Sequence, residues 1–104
     1  MSLNYAWEKL HIAVSTLSAG TADIQTRLAD AYISSVIHIE AEDLPSELRK
    51  DLKAITKAIT RIPAKGDEGS VRATVDTMSD DQCSQLAAEI FELHEAVNRL
   101  LRNP

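Results

Sequence analysis

Apolar residues recur at intervals of three and four along most of this 104-residue chain. That period lets an α-helix bury them on one side, and a strand cannot do the same. The clearest case lies near the end, where Leu86, Ile90, Leu93, Val97 and Leu100 are spaced four, three, four and three. Three glycines and three prolines are too few to turn a chain of many short strands, so a β-sandwich or barrel is not expected. Trp7, Tyr5, Tyr32 and Phe91 are the whole aromatic set, which leaves Leu, Ile, Val and Ala to build the core. At this length folding buries roughly two thirds of the unfolded surface, enough for one core but little for a deep internal site. Residues 1–104 are therefore expected to form a single helical domain.

The period predicts a first helix over Asn4–Ala19, with Asn4 as N-cap, Trp7, Leu10, Val14 and Leu17 inward, and Gly20 in the left-handed region after it. Met1-Ser2-Leu3 carries no weight in this reading. A second helix is expected from Ala22 to Ile39, capped by Thr21, with Ile24, Leu28, Tyr32, Ser35 and Ile39 as its stripe. Ala29, Ile33, Val36 and Ile37 widen its apolar arc to roughly 200°, so it is expected to be central or shared with another subunit. Asp43-Leu44-Pro45 opens a third helix running to Ile62 before Pro63, with Pro45 in the first turn. Ala64–Gly69 reads as the one true loop, flexible enough to move, and Ser70 as the cap of a short helix. Ser79-Asp80-Asp81-Gln82 matches a capping box opening the final helix, Asp80 to Arg102. The expected architecture is all-α: an antiparallel four-helix bundle with one additional short helix.

Catalytic chemistry finds little to work with. A ferritin-like di-iron site needs two Glu-x-x-His pairs, and Glu8/His11 is the only one; Ser35 and Phe91 stand three residues before His38 and His94. Glu89, Glu92 and Glu95 resemble the Mg²⁺-binding carboxylates of helical nucleotide pyrophosphohydrolases, but the wheel turns Glu92 and Glu95 away from the core. Cys83 falls at an apolar border beside Asp80 and Asp81, which would raise its thiol pKa, and one cysteine makes no disulfide. No phosphate-cradling glycine motif is present. The reading is a non-enzymatic protein with no cofactor and no metal ligand set. No apolar run approaches the ~18–20 residues of a membrane span, and no signal peptide is legible, so a cytoplasmic location and no membrane partner are expected.

Two surface features remain. Eleven cations against sixteen anions give a net charge of −5, yet Arg49, Lys50, Lys53, Lys57 and Arg61 all fall on the arc of the third helix opposite Leu48, Ile55 and Ile59. Such a strip suits an acidic protein partner; a polyanion or nucleic acid is the alternative, opposed by the overall charge. Equally, acids of neighbouring helices would neutralise it if they lay alongside. The other feature is surplus apolar surface: Tyr5 and Ile12 on the first helix, Ile33 and Ile37 on the second. These four are the expected contact of a homodimer, unless other helices of the same chain cover them.

Asn4-Tyr5-Ala6-Trp7-Glu8-Lys9-Leu10, Arg27-Leu28 with Ala31-Tyr32, Asp43-Leu44-Pro45 with Glu47-Leu48-Arg49, Lys65-Gly66-Asp67-Glu68-Gly69 and Met78-Ser79-Asp80 together resemble a group of small uncharacterised bacterial all-helical proteins. The resemblance spans most of the chain. It implies a bacterial origin and brings no established activity or site residues with it.

Overall fold

The final helix forms where its sequence signals place it. In the computed structural model, which describes residues 2–102, Asp80–Arg102 is the longest of five α-helices. The Gln82 amide donates to Ser79 Oγ at 3.1 Å and the Ser79 amide to Gln82 Oε1 at 2.9 Å, the reciprocal bonds of a capping box. We label the helices α1 (Leu3–Ala19), α2 (Ile24–Ser34), α3 (Ser46–Ile59), α4 (Gly66–Val75) and α5 (Asp80–Arg102). No strand occurs among the described residues.

The other boundaries differ from expectation for local reasons. Ser2, not Asn4, caps α1, its Oγ accepting from the Tyr5 amide at 3.0 Å. The Ser2 amide in turn donates to Asp43 Oδ1 at 2.8 Å, so the discounted start of the chain is tied to its middle. Gly20 is not left-handed but extended, at φ −75°. Its missing Cβ matters for a neighbour: the Arg27 stem passes where a Cβ would meet Cδ at 2.8 Å. Arg27 there donates to the Leu17 carbonyl at 2.6 Å and the Ala22 carbonyl at 2.8 Å, so a side chain of α2 closes the C-terminus of α1.

Asp23 rather than Thr21 caps α2, accepting from the Thr26 amide at 2.8 Å. The helix ends at Ser34 rather than Ile39, because the serine pair offers the backbone other partners: Ser34 Oγ donates to the Asp30 carbonyl and Ser35 leaves helical geometry. Two 3₁₀ turns follow, Val36–His38 and Ala41–Asp43. Pro45 sits just before α3 as its N-cap, not in the first turn. That helix stops at Ile59, short of Ile62, since a residue preceding proline disfavours helical geometry and the Ile62 amide donates instead to buried Thr74 Oγ1 at 2.9 Å. The expected mobile loop is shorter than predicted: Gly66–Gly69 already forms the first turn of α4, and Ser70 lies inside the helix. Gly66, at φ +76°, turns the chain into it.

Leu10, Leu28, Leu44, Ile55, Ile59 and Ile90 are all but completely buried in one continuous core. On α1 the buried stripe is Ala6, Leu10, Ala13 and Leu17, rotated from the expected one, with Trp7 and Val14 half-buried at its edge. Helix α5 packs against α1, α2 and α3, and α2 against α1, α4 and α5. Trp7 Nε1 donates to Asn98 Oδ1 at 3.1 Å, while Val14 and Leu17 share a groove with Ser84 and Ala87, so α1 runs antiparallel to α5. The radius of gyration, 13.0 Å, is what about 100 residues packed as one body give.

Candidate interaction surfaces

The basic strip survives folding, with one change of membership. Arg49, Lys50, Lys53 and Lys57 lie along α3 and are exposed, as is Arg61, which lies beyond the end of the helix rather than on it. Arg49 is held in place: its Nε donates to the Ala41 carbonyl at 2.9 Å and the Leu44 carbonyl at 3.0 Å. Lys50, Lys53, Lys57 and Arg61 form no ion pair with any described acid, although the chain holds sixteen. Arg49, Lys53 and Lys57 are four residues apart, which places successive cations about 6 Å apart along the helix axis.

The four residues expected at a dimer contact are spread over three elements, with Tyr5 and Ile12 on α1. Ile33 belongs to α2 and Ile37 to the following 3₁₀ turn, and both are half-buried against the chain's own core. Tyr5 is half-buried, with the Lys9 ammonium 5.5 Å from its ring centroid. Ile12 alone is widely exposed, at 47%. A larger apolar side chain went unnoticed in the sequence: Phe91 on α5 is 48% exposed. The signal was present, because Phe91 stands about 100° round the helix from the buried Ile90. Beside it lies a shallow groove of about 360 Å³ between α1, α2 and α5, lined by Val14, Leu17, Ile24, Ala87 and Ala88 among others.

Cys83 is buried, and burial first, then the charges of Asp80 and Asp23, push its thiol pKa up, away from a reactive thiolate. Glu8 and His11 are both exposed. Asp51, Glu89 and Glu92 line a groove of about 370 Å³ between α3 and α5 together with Arg99. Among the described residues no three His, Cys, Asp or Glu side chains converge as metal ligands. No described helix is long and apolar enough to cross a membrane.

Histidine 94 is the unexpected polar group. It is 9% exposed, and neither ring nitrogen has a hydrogen-bond partner. Its ring lies 5.7 Å from that of Trp7 and 5.9 Å from that of His11, and the His11 ring stacks on Trp7 at 4.8 Å. Burial disfavours the imidazolium and lowers its pKa; Glu95, with Oε2 at 3.7 Å from Nδ1, opposes that, and His11 adds to it. This is a packed, neutral imidazole rather than a poised base.

No family model, no curated protein and no solved structure matches the chain.

Proposed function

We propose that this is a non-enzymatic helical protein that works by contact with other proteins, and that the basic face of α3 receives an acidic segment of a partner. The scaffold in this reading is an antiparallel bundle of α1, α2, α3 and α5, with α4 as the additional short helix. The opposed run of α1 and α5 supports it. The observation that carries the docking role is the set of exposed cations, Lys50, Lys53, Lys57 and Arg61, left without acidic partners in a protein of net charge −5. A chain so acidic repels a long polyanion through its overall field, whereas a short acidic segment meets only the strip. The contact is expected to weaken with salt, because exposed charges are screened over about 10 Å at 0.1 M.

The test is fluorescence anisotropy with a glutamate-rich peptide and, separately, duplex DNA, using the native protein and the Lys53→Glu/Lys57→Glu variant. Salt-dependent binding of the peptide, lost in the variant, supports the proposal. Absence of peptide binding at low salt, or equal binding by the variant, refutes it. Tighter binding to DNA, lost by the same substitutions, makes the strip a polyanion site. Self-association is a second reading, favoured by the exposure of Ile12 and Phe91.

A further inference from the structure

The outward side of α5 is complementary to itself. Phe91, 48% exposed, stands near its middle. Ser84 and Ala88, both exposed, and half-buried Ala87 lie within the two turns before it. These small side chains let a second helix approach closely. The groove beside them, about 360 Å³ and bounded by Val14, Leu17 and Ile24, is of a size to take an aromatic ring. Toward the ends the charges are opposite: Asp80 and Asp81 occupy the first turn and Arg102 the last, all three exposed.

We infer that a second copy of this chain packs antiparallel on this face, about a two-fold axis passing between Ala88 and Phe91. The inference rests on the self-association reading and assigns it a surface. With the axis there, each Phe91 ring falls over the Ala87–Ala88 stretch and groove of the other copy. Asp80 and Asp81 stand about 13–14 Å from the axis on one side and Arg102 about 19 Å on the other, taking a rise of 1.5 Å per residue, an offset of about 5 Å that the long arginine side chain spans. The antiparallel arrangement therefore brings each acidic pair to the other copy's Arg102. A parallel arrangement sets Asp80 and Asp81 against their own kind and Arg102 against itself, so charge selects the two-fold. The side-chain Nε2 of Gln25 already donates to Asp80 Oδ1 at 2.9 Å, which leaves Asp81 the freer of the two acids. The face lies on the α1 side of α5, whereas α3 flanks the other side through Leu48, Ala54, Ile55, Glu89 and Leu93. Dimerisation on this surface leaves the basic strip open.

Sedimentation equilibrium of the full chain tests it, with circular dichroism to verify that each variant is folded. The native protein is expected to be dimeric at about 100 µM, and Phe91→Glu to weaken the dimer at least about 30-fold, as loss of a central anchor does. Arg102→Glu alone weakens association and Asp81→Lys/Arg102→Glu recovers it, while Ile12→Glu remains dimeric. A native chain that is monomeric at this concentration overturns the self-association reading and this surface together. A dimer that survives Phe91→Glu, or that Ile12→Glu dissociates, overturns the surface alone. Failure of the charge swap to recover what Arg102→Glu loses overturns the antiparallel register.

Discussion

Replacing His94 by leucine is expected to stabilise the protein, and to do so more as the pH falls. The ring is 9% exposed with both nitrogens unpartnered, a condition that costs about 1–3 kcal/mol in unrecovered desolvation. Leucine removes that cost and is close in volume, but forfeits the ring contacts with Trp7 and His11, about 0.5–1.5 kcal/mol for an aromatic pair. The net gain at neutral pH is about 1 kcal/mol. The pH dependence has a fixed sign. Burial holds the folded-state pKa below the ordinary imidazole value, so above about pH 6.5 the ring is neutral in both states and native stability is fully present. As the pH falls below that value the unfolded chain takes up the proton first. Stability is then lost until the pH has passed through the lowered folded-state pKa, where the loss levels off. Urea denaturation at about pH 7.5, 6.5 and 5.5 measures both effects by linear extrapolation. If the leucine variant is less stable than the native protein at pH 7.5 and the gap does not change with acid, the reasoning fails.

Two glycines three residues apart should respond to alanine with opposite signs. Gly66→Ala places a Cβ at φ +76° in open space, so its cost is backbone strain alone, about 1–2 kcal/mol; Gly69→Ala, with its nearest contact an ordinary 3.6 Å, should stabilise α4 by about 0.5–1 kcal/mol. Thermal denaturation of both reads the difference directly. Ser79→Ala is expected to remove about 1 kcal/mol by opening the α5 capping box, measurable by urea titration. Asp43→Asn should flatten the acid limb of the stability profile: burial opposes the carboxylate, but the amides of Glu40 and Ser2 hold its pKa below the ordinary range. The stability that Asp43 contributes is thus present above about pH 4 and lost as the pH falls through its lowered value. An acid titration monitored by circular dichroism shows whether the native loss below pH 4 is smaller in the variant.

The start of helix α5 was legible because two independent signals agree there, a capping box at Ser79 and an apolar period that is buried from Leu86 to Val97, although Leu100, expected to continue it, is exposed and Leu101 packs on the core instead. Helix α2 was not, because its apolar pattern runs on through Ile39 while Ser34 and Ser35 satisfy the backbone in another way. Periodicity registers burial, and Val36 and Ile39 are indeed buried, but from a 3₁₀ turn and an extended residue rather than from one helix. The same ambiguity put Ile33 and Ile37 on one helix, whereas Ile37 belongs to the 3₁₀ turn. Four of the five cations of the basic strip were readable from a helical wheel, Arg61 lying past the end of α3. That its cations lack partners was not, since that depends on which helices lie beside α3. Gly20 was read as a conformational necessity when the space it leaves serves Arg27, seven residues on, and no local pattern reports such an approach.

The antiparallel pairing of α1 with α5, fastened at Trp7 and Asn98, joins segments 91 positions apart. A ribosome delivers them in order, so Leu10, Ala13 and Leu17 leave the exit tunnel well before the helix that covers one side of them exists. The nascent chain up to Thr77 carries every partner of α2 except one, and no lid for α1 on its α5 side. Completion of this core consequently waits for the synthesis of α5, and chains truncated ahead of Ser79 should be engaged by chaperones and proteases rather than form a smaller folded protein.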